Sequence, residues 1–288
     1  MLNENFGKEL KLDHVYQMMD KIDDLFCERI QRAALASTLD ITGKPLNVLF
    51  YDVTTLCFES FSENELMQNG YSKDMKFNQA QIMLALFVTE QGLSIGYEVF
   101  PGGTFEGHTL IPVLEKIKTR YQLSDITVVA DRGMLSKENI AHLKENGFYY
   151  IVGARLKSLT KKKQDEILSW AKESIDAETQ EVSKRFEDEQ GAQFNVVSYR
   201  VERAKKDRFD REKSINKLHA KLAKSKNPKS LLSNYGYQKF IKVNGDAALQ
   251  IDEDKLILES VWDGLSGIYS NHPTLNDEEI LIQYRSLS

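Results

Sequence analysis

Cysteine is scarce in this 288-residue chain, where Cys27 and Cys57 are the only two. Two cysteines cannot build a disulfide framework, so the chain reads as one from a reducing compartment with two buried apolar thiols. No apolar run reaches the ~18 residues of a membrane-spanning helix. Residues 1–6 (MLNENF) lack the basic start and apolar stretch of a secretory signal. The expectation is a cytoplasmic protein with no membrane partner. Internal repeats and low-complexity linkers are absent as well. Neither sign of charge dominates, with 38 Lys and Arg against 43 Asp and Glu and a net charge of −5. With 41% apolar and 28% charged residues, the composition excludes wholesale disorder, collagen and a coiled-coil rod. The length suits one large or two ordinary domains.

What is present is a run of alternating elements. Residues 11–39 carry an apolar stripe at three- and four-residue steps (Leu12, Val15, Met18, Met19, Ile22, Leu25, Phe26, Ile30), which predicts one helix ended by Gly43 and Pro45. Residues 47–51 form a short buried strand stopped by Asp52. Residues 61–79 are polar and loop-like. Strands over 81–89 and 93–100 flank Gln91-Gly92 as a hairpin. After Pro101-Gly102-Gly103-Thr104, residues 108–121 read as a helix with Pro112 in its first turn. A strand over 126–130 is stopped by Asp131. Ser136 caps a helix over 137–146, Gly147 closes it, and a strand follows over 148–152. This order predicts the α/β class, a sheet with helices packed on it.

Beyond Gly153 the chain is rich in charge and poor in strand signals. Residues 171–190 lean acidic. Over 199–230, twelve Lys and Arg face four Asp and Glu, and most of this stretch reads as helix up to Asn227-Pro228. Short strands are predicted over 240–243, 247–251, 256–261 and 266–269. Asn276 to Glu279 is a capping box opening a last helix over 278–287.

Asp52 and Asp131 share one grammar, an apolar run and then a carboxylate. In an open sheet, ligands gather beyond the C-terminal ends of the parallel strands, so these two can meet if their strands are neighbours. Two carboxylates held together repel unless a cation lies between them. Mg²⁺ suits that donor set, since it prefers oxygen and keeps waters for substrate phosphates, and Mn²⁺ can stand in for it. The plainer alternative is that each aspartate caps a turn. His14, His142, His219 and His272 are scattered without metal-ligand spacing.

Three segments then acquire a family likeness: Tyr51-Asp52-Val53-Thr54-Thr55-Leu56, Phe100-Pro101-Gly102-Gly103-Thr104 with His108-Thr109, and Val129-Ala130-Asp131-Arg132-Gly133-Met134. Together they resemble DDE transposases of bacterial insertion sequences, in the subgroup with a Tyr-Arg-Glu-Lys signature near the third acidic residue. The resemblance implies an RNase H-like mixed sheet flanked by helices, with an inserted helical and β subdomain after the fourth and fifth strands. It implies a division into an N-terminal helical segment (1–46), the first part of the catalytic core (47–153), an insertion (154–255) and a return to the core (256–288). It makes Asp52 and Asp131 catalytic, Mg²⁺-binding residues. Tyr284 is similar to the signature tyrosine; Leu287 occupies the arginine slot, with Arg285 adjacent. The signature Glu would fall seven positions after Tyr284, past Ser288. The expectation is therefore a transposase core truncated at the C-terminus, and at the N-terminus too, inactive alone because phosphoryl transfer depends on positioned charge.

The implied partners are DNA (transposon terminal inverted repeats and target DNA) and a second transposase chain, as a homodimer or a heterodimer with the full-length protein. Arg132 and His108 are candidates for phosphate or nucleotide contact; the alternatives are a surface salt bridge and an exposed first-turn residue. In the basic stretch, Arg203, Lys205, Lys206, Arg208, Arg211 and Lys213 are candidate backbone contacts, with Lys161-Lys162-Lys163 extending them. The alternative is a solvated helix face. Trp170 and Trp262 read as packing residues. Gly102 and Gly103 serve either a close approach of DNA or a plain turn. Two other functions compete: a non-catalytic truncated product that blocks transposition, and an RNase H-like nuclease. A phosphatase with a strand-end Asp nucleophile would want a second acid where Thr54 stands.

Overall fold

The computed structural model, which describes residues 11–43, 45–71, 78–121, 125–189, 191–224, 240–244 and 248–287, divides the predicted helix 11–39 into two. Helix α1 spans Leu12–Met19 and α2 spans Asp24–Thr42. The break is a capping event: the Asp23 side chain accepts from the Phe26 N–H at 2.7 Å and starts a new helix. Capping chemistry outweighs the continuing apolar stripe, and α1 buries none of its residues. Gly43 ends α2 in the left-handed conformation at φ 60°.

Residues up to Gly153, with Asn271–Thr274 and Ile282 onward, form one compact unit. Its strands are β1 (Val48–Cys57), β2 (Gln81–Val88), β3 (Ser94–Pro101), β4 (Thr127–Ala130) and β5 (Tyr149–Ala154). They lie side by side in the order β3-β2-β1-β4-β5. The first three are antiparallel neighbours, whereas β4 runs parallel to both β1 and β5. Helix α3 (Leu110–Tyr121) leads from β3 to β4, and α4 (Lys137–Glu145) from β4 to β5. Such parallel pairs need helical crossovers, and the crossovers bury the central strands. All four residues of β4 are buried, as are Leu110, Val113, Leu114 and Ile117 along one face of α3. In β2 alternate residues are buried from Gln81 through Phe87, the period-2 signature of a half-buried strand. This is a mixed sheet with flanking helices, as the resemblance implied.

The other unit comprises Ala154–Ser270 and Leu275–Leu281. It holds α5 (Lys161–Ser174), β6 (Glu181–Glu187), β7 (Phe194–Arg200), α6 (Val201–Lys224), β8 (Ile241–Asn244), β9 (Ala248–Ile251), α7 (Glu253–Ser260) and β10 (Leu265–Ser270). Helix α8 (Asp277–Arg285) follows, opened by the predicted reciprocal pair: Asn276 N to Glu279 at 2.8 Å and Glu279 N to Asn276 at 2.9 Å. Strands β6 and β7 are an antiparallel hairpin, and β7 pairs antiparallel with β10. Ile167, Trp170 and Ala171 of α5 pack on Phe186, Val197 and Leu265, with Trp262 at the margin, so both tryptophans are packing residues.

Two expectations fail here. Residues 181–187 and 194–200 are strands although little announced them; β6 keeps Lys184 and Glu187 outward and buries Phe186. Residues 256–261, predicted as a strand, lie mostly in α7. The Asp252 side chain accepts from Lys255 N at 3.2 Å, and Glu253 and Asp254 favour the helix start. The helical end at Asn227-Pro228, with Lys226 and Lys229, lies outside the described residues, as do 72–77 of the polar loop and Ala247. Cys27 and Cys57 are half-buried, not buried, and neither is in a disulfide.

Candidate metal and nucleic-acid site

The two aspartates are delivered by adjacent parallel strands. In the β1–β4 ladder Val48 pairs with Thr127 and Tyr51 with Ala130. The next residue on each strand is Asp52 and Asp131. Both are exposed, while Tyr51, Val53 and Ala130 beside them are buried. Asp52 does not end its strand as predicted: β1 continues to Cys57, paired with β2 down to Gln81. The alternating Val53-Thr54-Thr55 segment sustains the strand, and Asp52 occupies one of its outward positions. Asp131 does leave β4 at its end and opens a short 3₁₀ turn, Arg132–Met134.

The Asp131 carboxylate is held by donors of this unit. Its Oδ1 accepts from Arg132 N–H at 2.7 Å and from the Tyr284 hydroxyl at 3.2 Å. Tyr284, singled out by the signature, thus meets the second aspartate. Arg285 is half-buried on the same helix, and Arg132 is exposed beside Asp131.

His108 sits on a second 3₁₀ turn, Glu106–His108, exposed and edge-on to the Phe105 ring at 5.2 Å. Buried polar groups fix this turn. The Thr109 hydroxyl donates to Glu106 O at 2.7 Å, so the Tyr51 hydroxyl donates to Thr109 at 2.5 Å. Burial pushes the Tyr51 phenol pKa well above its ordinary value, and the Glu106 and Asp52 carboxylates nearby add to the rise. The Asn139 amide donates to both Gly107 O and Met134 O at 2.9 Å, which ties the His108 turn to the Asp131 turn. Asn139 escaped the sequence reading and Thr109 stood in a motif without a role, because buried hydrogen-bond partners leave no periodic signal. Gly102 is buried, and a Cβ there would collide with Gln81 O and Gln68 O, so close packing of its own chain explains this glycine.

Among the described residues, no three His, Cys, Asp or Glu side chains converge where they could hold a metal. The donor set at Asp52 and Asp131 is two carboxylates. It fits a hard divalent cation that completes its shell with water and phosphate oxygen, and it does not fit a closed structural site.

In the other unit, α6 sorts the basic residues onto two faces. Arg211 forms an ion pair with Asp263, at side-chain exposures of 14% and 17%. Asp207 accepts from Gly264 N at 3.0 Å, with Arg203 leaning on it at 3.7 Å, and Leu218 is fully buried. Lys205, Lys206, Arg208, Lys213 and Lys217 are exposed, as is Phe209, whose ring centre lies 5.8 Å from Lys213 Nζ. Lys161 and Lys163 are engaged by Asp165 and Glu166.

The family described as "Transposase DDE domain" matches residues 43–270. Among solved structures, the piggyBac transposase synaptic complex with hairpin DNA is similar at 10% identity over 85% of this chain and 38% of that one, with a TM-score of 0.40. The Mos1 transposase paired-end complex with left transposon end is similar at 15% identity over 51% of this chain and 47% of that one, with a TM-score of 0.27. The Mos1 mariner paired end complex with Mn is similar at 14% identity over 45% and 43%, with a TM-score of 0.25. The chain spans less than half the length of each. No curated protein matches it. No helix among the described residues is long and apolar enough to cross a membrane.

Proposed function

The chain belongs to the transposase DDE domain family, and from that premise we propose that it is a transposase catalytic core acting on DNA, with Asp52 and Asp131 as its cation-holding carboxylates. The observation that carries this is their register, one step beyond Tyr51 and Ala130 on neighbouring parallel strands. Asp52 and Asp131 would hold Mg²⁺, or Mn²⁺ in its place, and the chemistry that ion supplies is neutralisation of a scissile phosphate and activation of the attacking oxygen. The reaction class is hydrolytic nicking at transposon ends, followed by attack of the freed 3′-hydroxyl on target DNA. Arg132 follows Asp131, and His108 sits on the neighbouring turn that Asn139 ties to it, a placement suited to gripping a phosphate or a flanking nucleotide. Lys205, Lys206, Arg208 and Lys213 offer a basic face to the DNA backbone. In the subgroup with the Tyr-Arg-Glu-Lys signature, a glutamate completes the ligand set.

Among the described residues no third acidic side chain joins these two in a group that could hold a metal. We therefore read the 288-residue polypeptide, on its own, as a weak metal binder and a poor nuclease. That favours a second role: occupying transposon ends, or pairing with another transposase chain, and so lowering transposition. The test is a gel shift over a range of salt beside a cleavage assay with Mg²⁺ or Mn²⁺, using DNA that carries the terminal repeats flanking the gene. Salt-sensitive binding without cleavage is expected. Robust cleavage lost in Asp52→Asn would refute the inactivity, and absence of binding at low salt would sink the DNA reading.

A further inference from the structure

Resting on the assignment of Asp52 and Asp131 as cation ligands, we propose that Tyr284 and Gly153 form a positioning pair that fixes how the Asp131 carboxylate is presented. Asp131 Oδ1 takes two donors, Arg132 N–H at 2.7 Å and the Tyr284 hydroxyl at 3.2 Å. Two donors on one oxygen hold the carboxylate plane against rotation about its Cβ–Cγ bond. They leave Oδ2 as the oxygen without a hydrogen bond among the described residues, and so as the one offered to a cation. Outer partners of this kind set ligand orientation and basicity.

Gly153 is what lets the phenol reach. It follows Val152, the β5 partner of Ala130, so it lies in step with Asp131. Its backbone is not left-handed, so conformation does not demand a glycine. Space does: a Cβ at Gly153 would collide with the Tyr284 hydroxyl and press on Arg132 Cβ and N at 3.0 Å. A side chain at 153 would displace the phenol from Asp131. The glycine and the tyrosine, 131 residues apart in sequence, are thus one device acting on one carboxylate oxygen.

The test uses the 288-residue chain and Mn²⁺ alone, with binding followed by loss of the free-ion electron paramagnetic resonance signal and folding by metal-free thermal melting. Tyr284→Phe should raise the Mn²⁺ dissociation constant about 10-fold, the range seen when ligand-orienting partners are removed, with little change in the metal-free midpoint. Gly153→Ala should give a loss of similar size. The double variant should lose less than the sum of the two singles, because both act on one carboxylate oxygen. Asp52→Asn and Asp131→Asn are the reference. If these two lose Mn²⁺ while Tyr284→Phe and Gly153→Ala bind like the unaltered chain, the positioning pair is wrong and the carboxylate assignment stands. Additive losses in the double variant also overturn the pair. If Asp52→Asn and Asp131→Asn bind as before, or the unaltered chain takes up no Mn²⁺, the carboxylate assignment fails and the pair with it. Should Tyr284→Phe fail to fold, Gly153→Ala alone decides.

Discussion

Charged side chains are exposed both around the β1–β4 strand ends and along α6, but the two regions hold them differently. Asp131 is gripped by a backbone amide and a phenol, and the turns around it are riveted by Asn139, Thr109 and Tyr51. On α6, Asp207 and Arg211 are bound into their own unit while Lys205, Lys206 and Lys213 stand in solvent. A carboxylate that must meet a cation within tenths of an ångström is worth preorganising. A lysine that meets a phosphate as a point charge gains little from being fixed, since its attraction is long-ranged and salt-screened. On the function proposed above, the first region is built for geometry, the second for field.

Substitutions can break or sharpen that contrast. The largest effect should come from the scaffold beneath the aspartates: Leu114→Ala, on the fully buried face of α3, should cost about 2–5 kcal/mol in a urea titration. Next is Arg211→Ala, which strands Asp263 half-buried and should cost about 1.5–3 kcal/mol. Were Arg211→Ala silent in stability but severe in DNA affinity, the two-faced account of α6 would be wrong. Asn139→Ala takes from the Gly107 and Met134 carbonyls the amide that joins them, Met134 O keeping only Ser136 N–H, and should cost about 1–3 kcal/mol.

A pH effect follows. The folded chain keeps Tyr51 protonated beyond the ordinary phenol value of 10.0, so above that pH the unfolded chain loses its proton first. Stability from Tyr51 is therefore complete below pH 10 and declines above it. Tyr51→Phe should lower stability at pH 7 and flatten the alkaline decline, measured by denaturant midpoints across pH 8–11. Smallest in stability are Lys206→Ala and Lys213→Ala, expected within about 0.5 kcal/mol of the unaltered chain. Each should nevertheless reduce the salt slope of DNA binding by about 1.

How much of this was legible in the sequence divides along physical lines. Apolar runs ending in Asp52 and Asp131 mark strands buried on both faces, and their neighbourhood follows from ordinary crossover rules. The run Val53-Thr54-Thr55 was not read as strand because it half faces solvent. Strand β6 was hidden for a like reason, its outward positions filled with charge. Residues 256–261 misled because Leu256-Ile257-Leu258 is as apolar as a strand, yet a capping aspartate upstream decides for helix, and Ile257 and Leu258 end up exposed. At the candidate site the carboxylates and Tyr284 were legible, since a family motif names them. Asn139 and Gly153 were not, nor was the role of Thr109: their work is to satisfy or vacate a particular point in space, and only the folded backbone defines that point.

The paired hydrogen bonds of Asn139 have a consequence in time as well as in place. One amide nitrogen spans the carbonyls of Gly107 and Met134, so neither turn can lift without releasing the other. Fluctuations of the His108 turn and the Asp131 turn should then be one concerted event. The Thr109 and Met134 amides, each donating within its own turn, should exchange with deuterium at a shared opening rate. In Asn139→Ala the two rates should separate, each turn keeping its own clock.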